Sequence, residues 1–400
     1  MSLAVNLDLL VISDEIASGI YEIRELLDHI GTLREGFKYD VVINRSITKE
    51  KLNLTKCILF FRSRSILDYK LAVLCKQLNK TLYLFLDDDF LGLKDNYGVN
   101  GAGLWEGRKD ALRKMLPLMD VIISPNDLLC EKYAQLGKIT RKVRIDTSVA
   151  EDTLIRSKFH NRNKIVLYIN DGSTDTFDKY IRPVLKKLGE LKPNVFQVSL
   201  LALSPKCNDI LGVNINFVSH MTYPEFRNFM NTSDFYIGLA PLDEEGFNKY
   251  KYFNKYIEYT RAGILGIYSN CSLYRQVIKN HVNGILVNNT ADEWAEAILF
   301  CYDHPKEYLG LLENAQSMIV GQFNKDSICN RLIEDLPELF TPNKSRWASN
   351  RDIYKLKVMH YCARARERLY LFFRYLKVGG IKGIIAALKH RRERNRECSR

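Results

Sequence analysis

Three charged residues stand at short intervals in the segment from Phe247 to Val287, and their types and spacing suit phosphate and sugar chemistry. Lys255 and Glu258 are three residues apart, so they share one face of the helix predicted there. The start of a helix offers unpaired N–H groups and a positive dipole end, which suit a phosphate. A carboxylate on that face can accept hydrogen bonds from a ribose diol while Lys251 and Lys255 face a diphosphate. The alternative interpretation is a βαβ unit with a solvated Lys–Glu pair.

The wider segment carries a longer pattern of matching residues, namely Pro241, Leu242, Phe247, Asn248, Lys251, Lys255, Glu258, Tyr259 and Gly263. This pattern resembles the donor-sugar half of GT-B-fold retaining glycosyltransferases, of the kind that build bacterial surface polysaccharides such as O-antigen and capsule. The chain departs from the family at Tyr252, where Ser is usual, and at Leu265, where Pro is usual.

The resemblance implies a role for each matching residue. Glu258 would hold the donor ribose, and Lys251 and Lys255 would neutralise the leaving diphosphate. The same likeness assigns donor contacts to Phe247, Asn248 and Tyr259. It also implies retention of configuration at the anomeric carbon.

The wider family carries a second, earlier Glu, with seven residues between the two. Counting back from Glu258 places Tyr250 at that position. A Glu-Gly-Phe triplet like that of the family begins at Glu245, thirteen positions before Glu258. Either a loop insertion has shifted the first Glu to Glu245, or the first Glu is absent.

A glycine turn ends the first predicted strand of the second half. Gly172 lets the backbone approach a ligand closely, and the helix that starts after Ser173 could hold the donor diphosphate. We predict both residues as donor contacts, with an ordinary turn as the alternative.

Three successive carboxylates, Asp87, Asp88 and Asp89, follow the predicted strand LYLFL. In GT-A transferases such a strand end holds a divalent metal ion, because hard cations prefer oxygen ligands. Surface-polysaccharide transferases of the GT-B type also often carry an Asp-rich strand end in the acceptor domain. We favour an acceptor-side role of this kind for Asp87, Asp88 and Asp89. A solvated strand end is the alternative for one or two of them. Arg62 either faces the same cleft or lies on the surface.

Alternating strands and helices predict parallel sheets that are covered on both faces, and 400 residues suit two domains. We predict an α/β protein with two doubly wound, Rossmann-like domains, which the resemblance identifies as GT-B. The active site is expected in the cleft between the domains, beyond the carboxyl ends of the strands. The predicted divisions are an acceptor-side domain over 1–150, a linker over 151–163, a nucleotide-sugar-binding domain with closing helices over 164–340, and a basic helical tail over 341–400.

The positive charge is concentrated in the tail. Residues 341–400 hold 17 of the 59 Lys and Arg and 4 of the 47 Asp and Glu, a net charge of +13, whereas the rest carries −1. Ile381, Ile384, Ile385 and Leu388 form an apolar helical stripe among these cations. The combination predicts a helix on an anionic membrane surface. No nucleic-acid-binding motif accompanies the charge, and a helix packed back on the first domain is the structural alternative.

Composition excludes several other classes of protein. No apolar run reaches the length of a membrane-spanning helix, and the N-terminus lacks the basic region of a signal peptide. The nine Cys are scattered, which fits a reducing compartment and neither a zinc site nor a disulfide framework. We therefore predict a cytoplasmic location, peripheral on the inner face of the cytoplasmic membrane.

Together these features predict transfer of a sugar from a nucleotide-sugar donor to a lipid-linked or other membrane-associated glycan acceptor. No metal cofactor is expected, because lysines and helix N-termini balance the diphosphate. Two alternatives stay open: a metal-dependent, GT-A-like transferase that uses Asp87–Asp89, and a non-catalytic, membrane-associated scaffold of the same fold.

Overall fold

The computed structural model describes residues 6–14, 18–93, 102–146, 161–168, 174–341 and 347–359, and seven single helical positions between 361 and 376. Its first half alternates strands and helices. The elements are β1 (Leu7–Ser13), α1 (Ser18–Leu33), β2 (Tyr39–Ile43), α2 (Lys49–Leu54), β3 (Thr55–Phe61), α3 (Ile66–Gln77), β4 (Thr81–Phe85), α4 (Ala102–Met115), β5 (Val121–Ser124), α5 (Asp127–Gly137) and β6 (Arg141–Arg144).

The six strands of this half form one parallel sheet in the order β2-β1-β3-β4-β5-β6. Strand β3 is buried along its whole length, as expected for a central strand with helices on both faces. The order reverses between β1 and β3, so the crevice beyond their carboxyl ends is a topological switch point. Arg62 and the carboxylates after β4 follow strands at this edge of the sheet.

The second half builds a second sheet of the same kind. Its elements are β7 (Lys164–Tyr168), α6 (Thr174–Thr176), a π-helical turn (Phe177–Ile181), α7 (Arg182–Leu191), β8 (Gln197–Leu201), β9 (Asn214–Val218), α8 (Tyr223–Thr232), β10 (Ile237–Ala240), α9 (Asn254–Arg261), β11 (Leu265–Ser269), β12 (Ile285–Val287), α10 (Ala291–Asp303), α11 (Pro305–Gln322) and α12 (Lys325–Asp335).

Its strands are also parallel, in the order β12-β11-β10-β7-β8-β9. The chain builds outward from β7 to β9 and then returns to the other side of β7. The switch point of this sheet therefore lies between β7 and β10, and the residues that follow these two strands face the crevice where such sheets bind ligands. The predicted fold class, two doubly wound parallel sheets, is confirmed.

The end of the chain returns to the first sheet. Residues Ile328, Cys329, Leu332 and Ile333 of α12 are buried in the same apolar cluster as Leu9 and Ile23. This differs from the predicted division, which grouped the closing helices up to residue 340 with the second domain. An apolar face of α12 covers the first sheet, so the chain crosses between the two units twice.

The start of the tail also packs on the first unit. Ala348, Ile353 and Leu356 are buried in its core, whereas Tyr354 on the other side of the same helix is 69% exposed. The packed-back alternative therefore holds for residues 347–359. The stripe from Ile381 to Leu388 lies outside the described residues.

Candidate active site

Helix α9 is placed at the carboxyl end of the second sheet. It begins at Asn254 after a turn of 3-10 helix (Gly246–Tyr250) and ends before Gly263, whose φ of +73° is the left-handed conformation that glycine favours. Gly263 thus follows the end of the helix in the conformation expected of a glycine stop. No hydrogen bond from a side chain caps the start of α9 in the described part of the chain. The positive end of its helix dipole is therefore not offset by a side-chain cap.

Lys255, Glu258 and Arg261 follow each other at intervals of three along α9. Lys255 and Glu258 are each 7% exposed and Arg261 is 3% exposed. Burial raises the pKa of Glu258, and the nearby charges of Arg261, Lys255 and Arg227 oppose that rise. The Glu258 carboxylate accepts no hydrogen bond from the residues that the structure describes. A buried carboxylate with free acceptor positions is suited to bind hydroxyl groups.

Tyr168 connects α9 with the switch point. Tyr168 is the last residue of β7. The Lys255 Nζ lies 5.6 Å from the centre of the Tyr168 ring. Burial and the negative charge of Glu258 raise the pKa of Tyr168 to about 12. The Lys255 ammonium therefore lies at the crevice between β7 and β10, as expected for a group that faces a ligand there.

Lys251 contacts the first unit instead of standing free. Its Nζ lies 3.2 Å from Asp88 Oδ1 and 4.5 Å from the centre of the Phe247 ring. Its carbonyl accepts a hydrogen bond of 2.8 Å from Asn126 Nδ2. Two residues of the first unit thus hold Lys251 across the cleft. For Lys251 to neutralise a diphosphate, as predicted, its ammonium must either leave Asp88 or contact Asp88 and the diphosphate at the same time.

The three carboxylates after β4 each have a different basic partner. Arg62 Nε donates to Asp87 at 2.6 Å, and Lys132 Nζ lies 2.7 Å from Asp89, which also accepts from the Tyr133 hydroxyl at 3.2 Å. Asp88 pairs with Lys251, and burial raises its pKa. No group of three or more His, Cys, Asp or Glu able to hold a metal ion occurs within the described ranges. Asp87–Asp89 therefore do not converge on one point, as metal ligands would.

The other residues predicted to lie at the donor site differ in how deeply they are buried. Tyr259 is 1% exposed, its ring lies against Gly238, and its hydroxyl donates to the Leu239 carbonyl at 3.0 Å. This side chain therefore packs α9 onto β10, and the donor contact of Tyr259 stays a prediction. Asn248 accepts the Lys251 N–H through its carbonyl at 3.2 Å. Glu245 is exposed before the turn.

Phe247 packs against the apolar core of the first unit. Gly172 and Ser173 lie outside the described residues. The structure thus brings Lys255 and Glu258 together on α9 and joins Lys251 to the acceptor-side carboxylates.

Arg261 and Arg227 are charged residues near Glu258 that the sequence prediction missed. Arg227 lies on α8, where its Nη1 contacts Glu25 of α1 at 3.0 Å. Nearby, the Tyr223 hydroxyl lies 3.1 Å from Glu22 Oε1, a second contact between the units. The interval of three between Glu258 and Arg261 was visible in the sequence. The approach of α8 to α9 was not, because it depends on the packing of both helices.

Tyr252, the first departure from the family pattern, has a structural role. Its hydroxyl donates to Asp146 Oδ1 at 2.8 Å, and Arg331 of α12 donates to the other oxygen of the same carboxylate at 3.1 Å. Asp146 is 4% exposed. Tyr252 therefore ties the segment before α9 to the first unit, which a Ser side chain is too short to do in the same way.

Replacing Tyr252 by Phe should lower the free energy of unfolding by about 1–2 kcal/mol, because the buried Asp146 carboxylate loses a hydrogen-bond donor. The measurement is the urea midpoint by circular dichroism. The matched control is Tyr354→Phe, whose hydroxyl belongs to a side chain that is 69% exposed. Equal midpoints for the two variants would contradict the assigned role of the Tyr252 hydroxyl.

A separate groove of about 460 Å³ lies at the amino end of the second sheet. It is lined by starts of β7, β8 and β9 and by residues around Asp234. Ligands of doubly wound sheets bind beyond the carboxyl ends of the strands, and this groove contains no predicted site residue. We therefore place the candidate site at α9.

Comparison with solved structures identifies the architecture. Sucrose-phosphate synthase from Thermosynechococcus elongatus is 14% identical with a TM-score of 0.55, over 83% of this chain and 99% of that one. HepE from Anabaena in complex with UDP-glucose is 12% identical with a TM-score of 0.53, over 82% and 99%. A glycosyltransferase from Rickettsia africae is 12% identical with a TM-score of 0.52, over 84% and 99%.

At these identities the likeness shows the fold alone, and it confirms the predicted GT-B architecture. No protein-family model matches the chain, and a sequence search of curated proteins finds no match.

Proposed function

We propose that this protein is a glycosyltransferase that moves a sugar from a nucleotide-sugar donor to a glycan acceptor. The observation that carries the proposal is the Glu258 carboxylate, buried on α9 beside Lys255 and without a hydrogen-bond donor among the described residues. A ribose diol supplies two donors to such a carboxylate. The fold supports the same function, since HepE was crystallised with UDP and with UDP-glucose.

In the proposed reaction the bond between the sugar C1 and the diphosphate oxygen breaks, and a bond from C1 to an acceptor hydroxyl oxygen forms. The proton of that hydroxyl passes to the departing nucleoside diphosphate. Negative charge develops on the departing nucleoside diphosphate. Lys255 and the uncapped start of α9 stabilise that charge, which is the larger part of the catalytic effect expected from such a site. Retention at C1 is part of the proposal through the family resemblance.

Lys251 would join the donor to the acceptor side. Its ammonium pairs with Asp88 across the cleft, so a diphosphate that attracts Lys251 releases a carboxylate of the first unit. We assign Arg62, Asp87, Asp88 and Asp89 to acceptor contacts on this basis. Glu245 remains the candidate for the first Glu of the family pattern, and its exposed position before a turn leaves it free to move toward a donor.

We further propose that the acceptor is lipid-linked, that the product is a surface polysaccharide, and that the enzyme works at the inner face of the cytoplasmic membrane. No helix in the described ranges is long and apolar enough to cross a bilayer. The described positions Tyr361, Leu369, Phe372, Phe373 and Leu376 are each helical and carry exposed apolar side chains. With the basic residues among them, they suit an anionic lipid surface.

A nucleotide-binding experiment tests the function. The purified chain is titrated with UDP and with GDP by calorimetry, first in excess chelator and then with added Mg²⁺ or Mn²⁺. We expect saturable binding of at least one nucleotide in both conditions, because Lys255 and helix N–H groups hold the diphosphate. Binding that depends wholly on metal would favour the alternative with Asp87–Asp89 as ligands. No binding of either nucleotide would favour a non-catalytic scaffold.

A further inference from the structure

Arg261 is a buried cation whose presence the proposed reaction does not explain. It ends α9, it is 3% exposed, and its Nε has no hydrogen-bond partner. Most buried Arg side chains form ion pairs or several hydrogen bonds, because an unpaired buried charge is costly. Arg261 forms no ion pair closer than 4.0 Å with any carboxylate in the described part of the chain.

The only carboxylate on the same helix is Glu258, one turn earlier. Residues three apart on a helix are neighbours on its surface, and Arg261 exerts the largest of the influences that lower the pKa of Glu258. The side chains of Arg261 and Glu258 are thus close enough to interact electrostatically. The Arg261 guanidinium nevertheless donates no hydrogen bond to the Glu258 carboxylate oxygens. The oxygens stay free while the charge of Glu258 is balanced.

We propose that Arg261 is a positioning residue of the donor site, which keeps the Glu258 carboxylate ionised and its two oxygens available for the ribose hydroxyls. The inference rests on the proposed function, since it needs a nucleotide to bind at Glu258. It adds a residue at a helix position where the quoted family pattern specifies none. Arg261 itself does not contact the reacting atoms.

Other groups also face Glu258 from the surrounding elements. Lys255 lies on α9 and Arg227 on α8, and both favour the ionised carboxylate. The charge of Glu258 also acts on four tyrosine hydroxyl groups, those of Tyr168, Tyr223, Tyr259 and Tyr274. The pKa values of these hydroxyls are all raised, so they stay neutral near pH 7. Arg261 lies one turn from Glu258 on the same helix face, so its removal should raise the pH at which Glu258 loses its proton.

The sign of the expected pH effect follows from this arrangement. Burial favours the protonated carboxyl, and a neighbouring cation favours the ionised one. Without the cation the carboxyl holds its proton to a higher pH. A protonated Glu258 gives up one acceptor position, so nucleotide affinity should be lost at a higher pH than in the wild type as the pH falls.

The test measures binding of the nucleotide found by calorimetry, over the whole pH range in which the chain stays folded, for the wild type, R261M and R261K. For R261M we expect about tenfold weaker binding near the wild-type midpoint, near wild-type binding at the alkaline end, and a midpoint at a higher pH than in the wild type. R261K keeps the charge and should keep the wild-type midpoint. In an E258Q background, R261M should cause no further change in the pH profile.

Three outcomes would overturn the inference. The pH profile of nucleotide binding by R261M could equal that of the wild type, or R261M could bind more weakly by the same factor at every pH. The third outcome is an R261K midpoint as high as that expected of R261M. If R261M does not fold, the R261K midpoint and the pH profile of E258Q, which should be flat over the same range, decide the question. Failure of the wild type to bind UDP or GDP would instead overturn the proposed function, and the inference would fall with it.

Discussion

Replacing Glu258 by Gln should weaken donor binding about 10- to 100-fold and reduce turnover at limiting donor to a similar extent. The neutral amide keeps the shape of the side chain, but it loses the negative charge and one of the two acceptor oxygens that a ribose diol would use. Hydrogen bonds to a charged group contribute about 1.5–3 kcal/mol, which corresponds to this range of affinities.

The stability of the same variant provides a second, opposite expectation. Burial raises the pKa of Glu258, so the folded state favours the neutral carboxyl and the ionised form lowers stability once the pH exceeds the unfolded pKa. The stability that the protonated form contributes is lost as the pH rises through the folded pKa. Above that pKa, E258Q should therefore be at least as stable as the wild type toward urea.

The control is Glu296→Gln, an exposed Glu on α10, which should change neither donor binding nor stability. A variant E258Q that binds and turns over donor as the wild type does would contradict the assignment of the ribose to Glu258. A variant that loses both binding and folding would indicate that Glu258 is structural. Weak binding with intact stability is the result that only a ligand-binding role explains.

Ending the chain at Met359 should abolish most of its binding to anionic vesicles, by about 100-fold or more at low salt. Residues 360–400 hold 12 Lys and Arg and 3 Asp and Glu. Each basic residue near an anionic surface contributes about 1 kcal/mol, and salt screens this attraction. The truncation keeps Ala348, Ile353 and Leu356, which lie in the core of the first unit, so the shortened chain should fold and still bind nucleotide.

A substitution in the full chain separates the apolar contribution from the charge. Phe372 and Phe373 are 47% and 63% exposed, and replacing both by Ser should weaken vesicle binding even at low salt, because the apolar contact is lost while the charge stays. The control is Leu211→Ser, a side chain that is 77% exposed on the second unit. Vesicle sedimentation measures all four proteins. Undiminished binding by the truncated chain would show that the tail is not the membrane contact.

Local sequence patterns predicted the two sheets because each buried strand is an apolar run bounded by polar residues and glycine. Strand β4 (Thr81–Phe85), for example, contains four of the five residues of the run LYLFL that was predicted as a strand. Strand β6 was missed because three of its four residues, Arg141, Lys142 and Arg144, are charged and exposed. Such an edge strand is defined by its pairing with β5, which the sequence does not display.

In the candidate site, too, the local features could be predicted from the sequence and the contacts between distant residues could not. The sequence placed Lys255 and Glu258 on one helix face because helical spacing is local. It did not reveal that Lys251 pairs with Asp88 or that Tyr252 bonds Asp146, since these contacts join residues more than 100 positions apart. The packing of Tyr259 against Gly238 was not visible either, because it joins α9 to β10.

A crystal structure of the chain with bound UDP or GDP, whichever binds in solution, tests the central claim most directly. The account predicts a nucleotide in the crevice between β7 and β10, with both ribose hydroxyls within hydrogen-bond distance of the Glu258 carboxylate and the diphosphate near Lys255 and the start of α9. A nucleotide held through a metal ion at Asp87–Asp89, or one bound away from α9, would contradict it.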